Sequence, residues 1–150
     1  MKTSEKISED LKAAMRAQDK VRLEALRAAK TAFTLAKTQE GAGGELSEEE
    51  ELRIIQRLVK QRRESAEIYK TQARDDLYDR EITEAEVLEK YLPVKMSPEE
   101  LKNYLLVLIR KSGASGMKDM GKVMGIASKE LAGKAEGKDI ASVVKQLLQD

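Results

Sequence analysis

Leu92-Pro93-Val94-Lys95-Met96-Ser97-Pro98-Glu99-Glu100 holds both prolines of the chain and decides how it is divided. Proline lacks an N–H and its ring clashes with the turn before it, so a helix arriving from the N-terminal side stops ahead of Pro93. Four residues on, a new helix is announced. Ser97 is an N-cap side chain, Pro98 stands at the first helical position, and Glu100 at the third completes a capping box. The pattern predicts a unit over residues 1–94, another over residues 95–150, and a hinge at Leu92-Pro93-Val94-Lys95.

Working toward the N-terminus, apolar residues recur at helical spacing. A first helix is expected from Ser4, with Ile7, Leu11, Ala14 and Met15 on one face. Asp19 is the expected N-cap of a second helix that runs to about Thr38 and carries Leu23, Leu26, Phe33 and a second, alanine-rich face. Gly41-Ala42-Gly43-Gly44 reads as a flexible loop. Ser47-Glu48-Glu49-Glu50 is another capping box, opening a third helix to about Gln72. The acidic run Glu48–Glu51 is therefore a helix N-terminus rather than a tail. A fourth helix runs from about Asp75 to Leu92. Toward the C-terminus come a helix with Leu101, Tyr104, Leu105, Leu108 and Ile109, a turn at Gly113–Gly116, and a short glycine-marked helix. A turn at Gly133–Gly137 precedes a last helix with Ile140, Val143, Val144, Leu147 and Leu148. The expected fold is all-α: an N-terminal bundle of long helices followed by a small three-helix module.

Composition agrees. Aromatic residues make up only 3 % of the 150, so the core must be built from Leu, Ile, Val, Ala and Met. Cysteine and histidine are both absent, which removes disulfides, thiol chemistry, imidazole acid–base catalysis and the usual zinc ligand sets. No cofactor and no metal are expected. The charged N-terminus has no signal-peptide core, and no window is apolar enough to span a membrane, so a cytoplasmic protein is the expectation. Net charge is +1 overall, but residues 1–94 carry −2 and residues 95–150 carry +3. Any anion-binding surface is expected in the C-terminal third.

Charges interrupt two apolar stripes. Arg62 falls within the stripe Leu52, Ile55, Val59, Ala66 and Tyr69, and Glu81 and Glu84 fall within Leu77, Leu88 and Tyr91. The short link Ala73-Arg74-Asp75 makes the third and fourth helices antiparallel neighbours, which brings these charges together as an interhelical ion pair. The alternatives are a catalytic pair of carboxylates, which lacks any supporting group, and an interaction surface with Arg62 reaching outward.

The stretch Ser112–Gly137, SGASGMKDMGKVMGIASKELAGKAEG, carries the functional lead. Gly121 and Gly125 sit inside a helical pattern, where each costs roughly 1 kcal/mol against alanine. A close-approaching backbone would offset that cost, whether a neighbouring helix, a partner helix or a polynucleotide. The wheel places Met117, Met120, Met124, Ala127 and Leu131 on the core face, Gly121, Gly125 and Ser128 on a bare strip, and Lys118, Lys122 and Lys129 on a basic ridge. Lys134 and Lys138 follow in the loop Gly133–Gly137, and Arg110 and Lys111 stand at the rim. Lysines offer point charge without base preference, which suits phosphates. With no aromatic platform, folded RNA read by shape is a better match than a stacked single strand.

The chain resembles the GatB/YqeY family over nearly its whole length. The residues that carry the resemblance are Leu11-Lys12-Ala13-Ala14-Met15, Leu26-Arg27, Lys60-Gln61-Arg62-Arg63, Arg74-Asp75-Asp76-Leu77, Glu81, Glu84 and Tyr91-Leu92-Pro93. The most diagnostic are Asp119-Met120-Gly121-Lys122-Val123-Met124-Gly125 and Gly133-Lys134-Ala135-Glu136-Gly137. It looks like a free-standing YqeY-like protein. The resemblance implies an all-α, two-part fold related to the tail of the GatB subunit of tRNA-dependent amidotransferase, a tail that binds the tRNA body. The catalytic part of that subunit has no counterpart here, so a carbon–nitrogen ligase label would describe the company the domain keeps. The expectation is a non-catalytic, monomeric tRNA-binding protein, accessory to Glu-tRNA(Gln) or Asp-tRNA(Asn) transamidation and to the aminoacyl-tRNA or amidotransferase machinery. The alternative is an adaptor that docks a partner helix on the Gly121/Gly125 strip. Amidase or ligase activity is a third and weaker reading.

Overall fold

A computed structural model describes residues 1–39 and 44–149. The expected loop Gly41–Gly44 lies outside the described residues except for Gly44. The described residues are helical and turn, without a strand. In chain order the helices are α1 (Thr3–Ala17), α2 (Lys20–Gln39), α3 (Glu48–Thr71), α4 (Asp75–Glu89), α5 (Pro98–Ser112), α6 (Met120–Glu130) and α7 (Gly137–Gln149). A single 3-10 turn, Met117–Asp119, precedes α6. The chain falls into two compact units, Met1–Leu92 and Pro93–Asp150.

The first unit is built on α3 and α4, its most extensive helix pair. Their link turns at Ala73, whose φ of 56° is left-handed. Arg74 N–H closes the turn on Tyr69 O at 2.9 Å. The α1–α2 link turns the same way at Gln18, φ 56°. Asp19 Oδ1 then accepts from Arg22 N–H at 3.2 Å, the N-cap that the sequence announces. Ile7, Leu11, Ala25, Leu26, Phe33, Ile55, Val59 and Leu88 fill the core, so each helix contributes one stripe. Met15 is not part of it. It is 53 % exposed while Ala14 is fully buried, because α1 meets its neighbours along the Ile7–Leu11–Ala14 line.

Two helix ends depart from expectation. Ser47 accepts from Glu50 N–H at 3.2 Å, but Glu50 does not reach back to the Ser47 amide. Its carboxylate takes the Ser47 hydroxyl instead, at 3.0 Å, so only half of the capping box forms. α4 ends at Glu89 rather than Leu92. Tyr91 and Leu92 donate to Leu88 O and Glu89 O, bonds of the tighter three-residue type, because a residue before proline is pushed out of the α region.

The acidic start of α3 has a second task. Glu48 Oε2 accepts from Thr3 N–H at 3.1 Å, and Glu51 Oε1 accepts from Ser4 N–H at 2.9 Å. The Thr3 hydroxyl also donates to Glu48. The carboxylates thus satisfy the first amides of α1, which its own N-cap residue, Lys2, does not. Lys2 instead sends its ammonium to Leu46 O at 2.7 Å. Glu51 is only 2 % exposed. Glu51→Ala is therefore expected to lower the unfolding free energy of this unit by about 1.5 kcal/mol, because a buried amide loses its acceptor. Urea denaturation followed by circular dichroism measures it; an unchanged midpoint would show that the cap contributes nothing.

The second unit packs α5, α6 and α7 around Leu101, Leu105, Val123, Ala127, Leu131, Ile140, Val144 and Leu148. Both halves of the Ser97 capping box are present at its entrance. Met96 N–H donates to Lys134 O at 2.9 Å, tying the segment before α5 to the turn between α6 and α7.

Candidate nucleic-acid interface

α5 stops at Gly113, whose φ of 71° is the left-handed conformation that ends a helix without a Cβ penalty. Its N–H turns back to Arg110 O and Ile109 O. The chain then passes through Ala114-Ser115-Gly116 and enters the 3-10 turn. Asp119 Oδ2 accepts from Ser115 N–H at 2.8 Å and holds this turn closed. From Met120 the helix is α, and its buried positions are Val123 and Ala127, continued by Leu131 beyond its end.

This phase corrects the expected core face. Met117 is 42 % exposed, Met120 and Met124 are half-buried, and Val123 is fully buried. The buried line runs Val123–Ala127–Leu131 at four-residue spacing with Met120 and Met124 on its flanks, and Met117 lies outside α6 in the 3-10 turn.

Gly121 and Gly125 are exposed, and a Cβ placed on either would meet nothing within 4 Å. Close packing on a neighbouring helix of the same chain is therefore not what offsets their helix cost. The strip is bare and faces outward. Gly133 differs, being buried at a φ of 80°, where only glycine sits without strain. Gly137 opens α7 in open space.

All seven cations singled out in the sequence are exposed: Arg110, Lys111, Lys118, Lys122, Lys129, Lys134 and Lys138. None of them takes part in an ion pair among the described residues. Lys122 has an internal partner of another kind. Its Nζ donates to Ser112 O at 3.0 Å, reaching the carbonyl end of α5. That end carries the negative pole of the helix, so the contact is favourable, and it fixes one rotamer of a long side chain. The ammonium keeps two further donors for an external anion. The contact joins α6 to the segment that holds Arg110 and Lys111.

The cations form two groups rather than one row. Arg110, Lys111, Lys118 and Lys122 belong to the α5–α6 junction, whereas Lys129, Lys134 and Lys138 belong to the α6–α7 junction. Within α6 the nearest members of the two groups, Lys122 and Lys129, are about 10 Å apart along the axis at 1.5 Å per residue. Gly121 and Gly125 share that helix, Gly121 beside Lys122 and Gly125 between Lys122 and Lys129. Two cation groups that far apart suit a ligand with several phosphates better than a single small anion.

The charges that interrupt the apolar stripes of the first unit are arranged differently. Arg62 Nε lies 3.6 Å from Glu84 Oε1, with side chains 16 % and 11 % exposed. Arg80 Nε stands 3.7 Å from the other Glu84 oxygen and also binds Glu24. Glu81 is not an ion-pair partner of Arg62 among the described residues. It acts instead as a like charge on Glu84. Burial pushes the Glu84 carboxyl above its usual range, Arg62 opposes that, and Glu81 and Glu24 reinforce it. Arg62 Nε is buried without a hydrogen-bond acceptor, although its Nη1 reaches Leu58 O at 3.4 Å. Tyr91, beside Asp10, has its hydroxyl pushed above the usual tyrosine range, first by burial and then by that carboxylate. Among the described residues no cluster of His, Cys, Asp or Glu is placed to hold a metal ion, and no helix is long and apolar enough to cross a membrane.

The Lys122–Ser112 contact was out of reach of the sequence, since no pattern links a lysine to a carbonyl ten residues earlier across a turn. The double service of Glu48 and Glu51 was hidden in the same way, because the partners are 45 and 47 residues apart.

Comparison with known proteins places these features in a family. The Clavispora lusitaniae protein described as "Altered inheritance of mitochondria protein 41, mitochondrial" is 37 % identical over 99 residues, covering 64 % of this chain and 56 % of that protein. The chain thus matches little more than half the length of that relative. The family described as Yqey-like protein matches residues 4–148. The chain belongs to the Yqey-like protein family.

Proposed function

We propose that the protein binds tRNA through the phosphate backbone, with α6 as the contact helix, and performs no chemistry of its own. The observation that carries this reading is the outward-facing Gly121/Gly125 strip, set among exposed cations that take part in no ion pair among the described residues. Bare glycines let a bulky ribose-phosphate chain approach the helix backbone, and the lysines supply charge on either side. Lys122 is held in place by α5, which reduces the ordering needed for a phosphate contact. As an accessory to transamidation, the protein would hold tRNA while another polypeptide carries out the reaction. Its site of action is proposed to be the cytoplasm and its working form a monomer.

Electrophoretic shifts of total tRNA across a salt series test this. Binding is expected to weaken steeply with ionic strength, and Lys118→Glu/Lys122→Glu is expected to reduce the log–log salt slope by about 2. A wild-type chain that shifts no tRNA at low salt would overturn the reading. An adaptor docking a partner helix on the same strip is favoured only by the 42 % exposure of Met117 at its edge, and its binding would be nearly independent of salt.

A further inference from the structure

α2 carries two apolar stripes, one buried in the core and the other only partly covered by it. Ala25, Leu26, Ala29 and Phe33 are buried. Ala28, Ala32, Leu35 and Ala36 instead line an open groove whose other wall is Ile54 and Leu58 of α3. Leu35 is 55 % exposed at the groove mouth. The positions on α2 follow the i, i+4, i+7, i+8 spacing of a helix–helix contact and extend over about 12 Å, two turns or slightly more. The alanines leave room for side chains larger than their own.

The rim is cationic. Arg57 lines the groove and is its one charged lining residue among those described. Arg53, one turn earlier on α3, and Arg27, next to Ala28 on α2, are also exposed. None of the three arginines takes part in an ion pair among the described residues. An apolar floor with an uncompensated basic rim defines the chemistry of its complement: an apolar stripe between carboxylates. RNA would use the arginines but has no use for the floor.

We propose that the α2/α3 groove seats an amphipathic helix of a partner protein, its apolar stripe flanked by acidic residues. The surface belongs to the first unit and is independent of the α6 reading.

The test uses the full chain and two fluorescein-labelled helical peptides of about five turns, both with leucines at i, i+4, i+7 and i+11. One carries glutamates and the other lysines beside the stripe. In fluorescence anisotropy the glutamate peptide is expected to bind and the lysine peptide to bind at least about tenfold more weakly. Leu35→Glu is expected to weaken the glutamate peptide about tenfold, and Arg53→Glu/Arg57→Glu to reverse the preference between the two peptides. All three positions are exposed, so circular dichroism should be unchanged in these variants. Equal binding of both peptides, no binding of either up to about 1 mM, or an unchanged affinity in Leu35→Glu would each overturn the proposal. So would a wild-type dimer that Leu35→Glu dissociates, which would make a second copy the occupant. Displacement of the peptide by tRNA that Leu35→Glu still binds would assign the rim to RNA instead, and overturn it too.

Discussion

Arg62→Ala is expected to lower the stability of the Met1–Leu92 unit by about 3 kcal/mol at neutral pH, because it leaves the Glu84 carboxylate buried without its nearest α3 cation. The distances argue that the loss is about the stranded charge rather than a strong bond. At 3.6 Å, with Arg62 Nε lacking an acceptor, the native pair is loosely made. The double variant Arg62→Met/Glu84→Leu should therefore recover most of what the single variant loses. The loss should also depend on pH. The Glu84 pKa is raised by burial above the ordinary 4.5, so folding favours its protonated form. Its contribution to stability is fully present below the unfolded value and is lost as pH rises through the folded one. Removing Arg62 takes away the chief influence opposing the shift, so the variant should be weakest near pH 7–8 and recover toward about pH 5. Thermal melts of both proteins over that range measure it. A deficit that stays constant with pH would mean that Glu84 keeps its proton balance without Arg62. tRNA affinity should be unaffected.

Gly121→Ala/Gly125→Ala should move stability and binding in opposite directions. Each added methyl meets no atom within 4 Å, and neither glycine has a positive φ, so alanine restores helix propensity without a clash. Stabilisation of α6 by about 2 kcal/mol for the pair is expected. Amide hydrogen exchange along α6 reads it locally. If the strip admits a phosphate backbone, the same methyls should stand in its way and raise the tRNA dissociation constant severalfold. A gain in protection with unchanged tRNA affinity would remove the strip from the binding surface. A loss of protection would show that the glycines serve the fold after all.

The helical layout was legible because each boundary had a local cause. Asp19, Ser47, Ser97, Pro93 and Gly113 act on amides, carbonyls or dihedral angles within a few residues of themselves. What the sequence concealed depends on the exact type of turn or on distant partners. Helical spacing admits both Val123 and Met124 as neighbours of Ala127, and packing against α5 and α7 buries Val123, while Met117 falls in the 3-10 turn outside α6. The ion pair was half readable: the pattern named Arg62, Glu81 and Glu84 as one group, yet only Glu84 is within reach of Arg62, while Glu81 adds repulsion. For the candidate interface, the identity and exposure of the cations were readable. Their division into two groups and the carbonyl anchor of Lys122 were not, since both arise from how α5, α6 and α7 meet.

The carboxylates that cap α1 are borrowed from a helix that starts 45 residues further along the chain. A ribosome delivers α1 long before it delivers Glu48 and Glu51. Until then the amides of Thr3 and Ser4 lack these acceptors, so the first turn of α1 is fixed by contacts of high sequence separation rather than by its own neighbours.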